Sequence, residues 1–314
     1  MPPQKPIILV TGGAGFIGSH LVEHYQDSAA EIRVLDDLRS GALSNLSGLN
    51  HTFIQGSITD RDIVREAVQG VDYLFHLAAM ISVPESMEEP LLCQELNVAG
   101  FLTILEEASR AGVTKAVLSS SAAIYGDNPT VPKVETMIPE PRSPYAITKL
   151  DGEYYGQLFH REGKIAFTAL RYFNVFGPRQ NPNSAYAAAV PIFIDRALKN
   201  EAITIYGDGE QTRDFVYVKD VAAANAFAAE NLTLEGVYNV GYGQQLTINE
   251  LAQRIVGETG SSSEIRHLDT RAGDVRHSLA AVERLTEAGF QPEGSVDQGL
   301  RETLAWYHAQ AHPS

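Results

Sequence analysis

Tyr145 and Lys149, four residues apart in the run "SPYAITK", are a residue pair whose types and spacing can do chemistry. On a helix, residues four apart share a face, so the phenol and the ammonium point the same way. A phenol acting as a base near neutral pH must have its pKa brought from about 10 to about 7, roughly 4 kcal/mol. One unit charge at about 4 Å in an effective dielectric near 20 contributes about as much. Upstream, "KAVLSSSAAIYG" sets serines at the carboxyl end of a strand, where open α/β sheets bind ligands, and Ser121 can share a substrate hydroxyl proton with Tyr145. Singly, YxxxK is a common helical accident and serines often finish strands. In this order, the two suggest proton transfer.

A second motif supplies a partner for that chemistry. "ILVTGGAGFIGSH" has glycines at Gly12, Gly15 and Gly18 after a strand, and opens a helix through His20, Leu21 and Val22. Glycine lets the backbone turn tightly and approach a pyrophosphate, which then sits on the positive end of the helix. The strand before, the helix after and the place at the start of a βαβ unit make the trio specific for a dinucleotide. The next strand ends in "VLDDLRS", where Asp36 can accept the adenosine ribose hydroxyls and would repel a 2′-phosphate. That favours NAD over NADP; Arg39 nearby argues the other way, and a solvated turn is the plain alternative for Asp36 and Asp37. An oxidised nicotinamide adds a second positive charge beside Tyr145.

These residues need a sheet to carry them. Six apolar runs read as strands: Ile7 to Val10, Ile32 to Leu35, Thr52 to Gln55, Tyr73 to Leu77, Ala116 to Ser119 and Ala166 to Arg171. Helical segments lie between them, such as "DRDIVREAVQG" with Asp60 as cap and Ile63, Val64, Ala67 and Val68 on one stripe. The alternation predicts an α/β fold, a doubly wound parallel sheet with helices on both faces. After "NVFGPRQNPNSAY" the elements shorten, which suggests a smaller second unit packed closely on the first.

Composition narrows the partners. The 314 residues carry 24 Lys and Arg against 39 Asp and Glu, a net charge of -15, which repels phosphate backbones and anionic membranes. Nucleic acid and membrane are therefore excluded as expected partners, while a few arginines can still hold an anionic ligand. Cys93 is the single cysteine, so neither an intrachain disulfide nor a cysteine metal cluster is expected. The N-terminal apolar run is too short for a signal peptide, and a cytoplasmic location is the expectation.

The motifs "TGGAGFIGSH", "DYLFHLAA", "ELNVAG", "SSSAAIYG", "SPYAITK", "LRYFNVFGPRQ" and "TRDFVYVKDVA" span nearly the whole chain. Together they resemble the extended short-chain dehydrogenase/reductases that act on nucleotide sugars, and within them the UDP-hexose 4-epimerases. The resemblance implies a Rossmann-type NAD-binding domain over residues 1–175, rejoined by residues 214–240, and a smaller UDP-sugar-binding domain over residues 176–314. Catalysis would fall to Ser121, Tyr145 and Lys149, through a 4-keto sugar. NAD would be held by Gly12, Gly15, Phe16 and Ile17, by Asp36 and Asp37, and by Ser57 and Ile58. Leu77, Ala78 and Ala79, then Asn97, Ser119 and Tyr172, would complete the cofactor site with Tyr145 and Lys149. Ser57 is a departure, since many relatives have an aspartate there.

For the sugar nucleotide, the resemblance implies Arg213 and Arg271 on the diphosphate and Asp274 on a ribose hydroxyl. Tyr206 would line the uridine pocket, and Ser82, Ser121, Asn174, Ala188 and Ala189 the sugar. Ser278 falls where family members limit the room around C2; a small residue there permits the N-acetylated pair as well as UDP-glucose and UDP-galactose. A dehydratase or UDP-glucuronate decarboxylase is the alternative reading, and a non-catalytic NAD sensor a remote one. Ala122 and Ala123 stand where dehydratases carry an acid pair, and decarboxylases carry a glutamate at the place of Ala123, which favours epimerisation. The resemblance also implies a homodimer through Leu91 to Ala111 and Tyr145 to Arg161. His76 in "LFHLAA" reads as a core residue near the cofactor.

Overall fold

The computed structural model describes residues 5–182, 188–270 and 275–311. Short apolar runs become strands and the intervening periodic segments become helices. The order is β1 (Ile7–Thr11), α1 (Phe16–His24), β2 (Glu31–Asp36), β3 (Thr52–Gln55), α2 (Arg61–Ala67) and β4 (Tyr73–His76). There follow α3 (Val83–Glu88), α4 (Pro90–Gln94), α5 (Gly100–Ala111), β5 (Lys115–Ser121), α6 (Pro144–Arg161) and β6 (Ala166–Tyr172). Beyond them come β7 (Asn174–Phe176), α7 (Ala189–Leu198), β8 (Ile203–Tyr206), β9 (Thr212–Arg213), β10 (Phe215–Tyr217), α8 (Val218–Glu230) and β11 (Gly236–Val240).

Seven strands form one parallel sheet in the order β11-β6-β5-β4-β1-β2-β3. Residues along β1 alternate between two apolar layers. Ile8 and Val10 face Leu21, Val22 and the alanines of α8, while Leu9 packs with Val64, Ile104 and Leu105 on the other side. Burying both faces is what makes the strand read as a continuous apolar run, each large side chain contributing about 1.5–3 kcal/mol. Asp60 caps α2 by accepting from the backbone of Asp62 and Ile63, as its place before the stripe predicts.

Chain direction across the sheet reverses between β1 and β4, and open α/β sheets bind ligands in the crevice at such a point. A third apolar cluster, with Phe176, Phe193, Ile205, Tyr217 and Leu251, supports the elements after β6. Phe16 and Ile17 at the start of α1 pack against it, joining the two regions.

Candidate active site

At the crevice, the first turn is built around missing side chains. Gly12 has φ +70°, and a Cβ there would lie 2.7 Å from Ala78 N and 2.9 Å from Leu77 C, so β1 and β4 close on each other only with glycine. A Cβ on Gly18 would come within 2.2 Å of Gly12 O, so α1 also needs glycine to pack this tightly. No side chain caps α1 at Gly15, so its leading N–H groups are available to a pyrophosphate.

Asp36 braces this turn. Its carboxylate accepts from Ala14 N at 3.0 Å and Leu38 N at 2.8 Å, and burial raises its pKa above the ordinary aspartate value. Asp37 is exposed and accepts from Arg39 N, the turn that was the plain alternative for it. Arg39 itself pairs with Glu85 at 2.7 Å, which engages a cation that could have served a 2′-phosphate. The residues present fit NAD.

On the far side of the crevice, Leu77 N and Ala78 N donate to the backbone and side chain of Thr11, and Thr11 Oγ1 meets His76 Nδ1 at 2.9 Å. His76 is fully buried, stacks on Phe101 and has its pKa driven down to about 3, chiefly by burial. It is therefore neutral. Ser57 turns its hydroxyl to Thr59 at 2.8 Å, while Ile58 is buried beneath α5.

Asn97 lies in a π-helical turn, Glu95–Ala99, between α4 and α5. Its amide accepts from Met80 N at 2.7 Å and donates to Met80 O and Thr148 Oγ1 at 3.0 Å each. The sequence expectation put this side chain on the cofactor; the structure engages it with the loop that follows Ala79. Ser82 caps α3 by accepting from Glu85 N.

The reacting pair stands at the start of α6. Ser143 caps the helix and Pro144 opens it, which is why Tyr145 falls in the first turn. Tyr145 N donates to Ser86 Oγ at 3.2 Å, tying α6 to α3. Ser121 ends β5, caps the following 3-10 turn through Ala123 N, and stands on the Tyr145 side of the site, where it acts to lower the phenol pKa. Lys149 Nζ donates to Ser119 O at 2.7 Å and lies 5.8 Å from the Tyr145 ring centre. Tyr172, beside Ser121 in the sheet, donates to Asn225 at 2.8 Å.

Burial raises the Tyr145 pKa above its ordinary value, Ser121 opposing it, and burial brings Lys149 down to about 8. The Lys149 ammonium is directed at the Ser119 carbonyl.

The expected substrate residues lie on separate pieces. Asn174 starts β7, Ala188 precedes α7 and Ala189 opens it, Tyr206 ends β8, and Arg213 ends β9 with Nη1 on Thr212 O. Ser278 N donates to Thr212 O at 3.1 Å, which places it beside Arg213. Arg271 and Asp274 lie outside the described residues. What gathers these pieces is Asp214, fully buried, which accepts from Tyr242 N, Gly243 N and Ala280 N at 2.8, 2.9 and 3.1 Å. Burial outweighs these bonds and pushes its pKa up to about 6. Thr11 and Asp214 escaped the sequence reading, although Asp214 sits inside the "TRDF" run beside Arg213.

A dinucleotide crevice with a tyrosine–lysine pair at its mouth defines an NAD-dependent enzyme of the short-chain dehydrogenase/reductase kind. The chain belongs to the NAD dependent epimerase/dehydratase family, whose profile matches residues 8–241. It is 35% identical over 306 residues to a UDP-glucose 4-epimerase of Mycolicibacterium smegmatis, covering 95% of this chain and 97% of that one. A UDP-N-acetylglucosamine 4-epimerase from Methanobrevibacter ruminantium M1, solved with UDP-N-acetylmuramic acid, is 42% identical with a TM-score of 0.94, over 98% of this chain and 99% of that one. A dTDP-glucose 4,6-dehydratase of Streptomyces niveus is 33% identical, over 96% of this chain and 92% of that one. NAD is the cofactor, and no helix among the described residues is long and apolar enough to cross a membrane.

Proposed function

We propose that this enzyme is a UDP-sugar 4-epimerase, interconverting UDP-glucose with UDP-galactose and also UDP-N-acetylglucosamine with UDP-N-acetylgalactosamine. Residues 1–175 and 214–240 hold NAD, and the remainder of residues 176–314 holds the sugar nucleotide. The observation that carries the reading is the pair Ala122 and Ala123 directly after Ser121, in the 3-10 turn at the reacting centre. Elimination of water needs an acid and a base beyond the tyrosine; this turn carries neither, so redox at C4 is the chemistry left to it. The relatives named as epimerases support the same choice.

Bound NAD supplies the hydride acceptor and donor, and a positive charge near Tyr145. Tyr145 takes and returns the proton of the sugar 4-hydroxyl, with Ser121 sharing it. Lys149 fixes the end of β5 through Ser119 O, and its ammonium would hold the nicotinamide ribose of bound NAD. Asp214 holds the Arg213 and Ser278 segments around the diphosphate and the C2 substituent.

The test is incubation with each of the four UDP-sugars, followed by mass and isomer analysis. An isomer of unchanged mass is expected; loss of water without an isomer rejects the reading in favour of a dehydratase, and loss of carbon dioxide from added UDP-glucuronate in favour of a decarboxylase. Ser278→Tyr is expected to depress kcat/KM for the N-acetylated pair about ten-fold or more relative to the glucose pair, because an added ring fills the space at C2. Equal effects on both pairs would remove the volume argument.

The enzyme is also read as a homodimer. Ile147, Tyr154 and Leu158 lie exposed along one face of α6, and Leu91 is 84% exposed on the neighbouring α4. Light scattering on the purified protein checks this.

A further inference from the structure

Behind the reacting groups runs a chain of buried polar contacts that the reaction above does not use. Ser120 donates to Glu153 Oε1 at 2.6 Å, and Arg171 grips both Glu153 oxygens, at 2.8 and 2.7 Å. The Arg171 guanidinium lies 4.8 Å over the Tyr125 ring, and the Tyr125 hydroxyl donates to Asn239 Oδ1 at 2.7 Å. The Asn239 amide donates in turn to Lys133 O at 2.8 Å and Ala281 O at 3.2 Å. Every one of these side chains, from Ser120 through Asn239, is buried.

Each link touches a different part of the site. Tyr125 closes the 3-10 turn that Ser121 caps, and Ser120 precedes Ser121 on β5. Glu153 stands on α6 four residues after Lys149 and eight after Tyr145, on the same face. Ala281 follows Ala280, which Asp214 holds, and lies three residues beyond Ser278. Stability gives little reason for such a chain, because a buried ion pair can often be replaced by apolar residues at no loss. Directional bonds between these segments instead fix where they meet.

We propose that Tyr125, held by Asn239, is a positioning residue for the reaction: it clamps the turn carrying Ser121 to the segment carrying Ser278, so that the Ser121 hydroxyl meets Tyr145 and the sugar at a set distance. The proposal rests on the 4-epimerase reading and deepens it. Tyr125→Phe keeps the ring and its contact with Arg171 and deletes a single hydroxyl.

Full-length wild type, Tyr125→Phe, Ser121→Ala and the double variant are compared with UDP-glucose in two assays. One follows epimer formation at steady state; the other follows reduction of the bound NAD by absorbance in a single turnover. In Tyr125→Phe, turnover is expected to fall about ten-fold, the size of one lost hydrogen bond, with KM and bound NAD within about two-fold of wild type. The acid limb of the pH–kcat profile should move to higher pH in both single variants, since Ser121 opposes the rise of the Tyr145 pKa. On the Ser121→Ala background, Tyr125→Phe should cost nothing further.

Full turnover in Tyr125→Phe overturns the proposal. So does a loss that multiplies fully with that of Ser121→Ala, or one that follows a lowered Tm with no change in the pH profile; either marks a merely structural residue. A wild type that reduces its NAD but forms no epimer ends the 4-epimerase reading, and the four-way comparison then stands on the reduction step. A wild type that reduces no NAD overturns both.

Discussion

On the proposed function, the cofactor end and the substrate end of this enzyme are built on opposite plans. At the cofactor end, binding falls to the backbone of one continuous stretch: Gly12 turns, α1 presents its leading N–H groups, and Asp36 braces Ala14 from only 22 residues away. At the substrate end, side chains do the work and come from separate pieces. Asp214 gathers Tyr242, Gly243 and Ala280 across sequence separations of 28, 29 and 66 residues. A backbone cradle needs glycine at fixed spacing and so leaves a motif. A side-chain cradle needs only that distant segments share an anchor.

The largest expected effect lies where the two ends meet. Tyr145→Phe should lower turnover by about 10²–10⁴-fold, the usual contribution of a positioned acid–base group. Bound NAD should be unchanged, as read by the cofactor released on denaturation, because Gly12, α1 and Asp36 do not involve the phenol. A variant that turns over normally removes Tyr145 from the reaction. One that purifies without NAD would show that the two ends are not separable.

Gly12→Ala attacks the cofactor plan alone. Alanine at φ +70° costs about 1–2 kcal/mol, and its Cβ would press on Ala78 N, which is backbone and can yield only if β4 moves. NAD affinity is expected to fall about ten-fold or more by titration of the stripped protein, with the substrate end still able to bind UDP. Undiminished NAD binding would break the idea that the missing side chain shapes the crevice.

That contrast also sets what could be read in advance. Five of the six strands were legible because they are buried on both faces, which forces continuous apolar runs, while β3 at the sheet edge is at most half-buried, and "SPYAITK" was legible because capping and proline fix Tyr145 in the first turn. The setting of the pair was not. Lys149 aims at Ser119 O, and burial raises the Tyr145 pKa, outcomes that depend on how deeply α6 is buried and on no spacing within it. Glu153 and Arg171 are 18 residues apart with no motif joining them; only the packing of α6 on β6 makes them a buried pair. Asn97 entered only through the resemblance, and its partners, Met80 and Thr148, lie 17 and 51 residues away.

The smallest expected effect tests the tie between the two ends. Glu23 on α1 meets Arg179, three residues beyond β7, at 2.7 Å, and His20 lies beside it at 3.5 Å. The neighbouring His20 ring first, and then the Arg179 charge working against burial, hold the Glu23 carboxyl down to about 2. A carboxylate whose pKa is lower folded than unfolded stabilises the native state above its unfolded value. That contribution is lost as pH falls from about 4.5 through about 2. Glu23 is 41% exposed, so screening limits the pair to about 0.2–1 kcal/mol. Glu23→Gln should therefore unfold at slightly lower urea than wild type at pH 6, and the gap should close as the pH is lowered toward 3. A gap that stays constant with pH would mean that Glu23 holds α1 to the substrate end by packing and not by charge, and that the two ends are joined chiefly through Phe16 and Ile17 on the third apolar cluster.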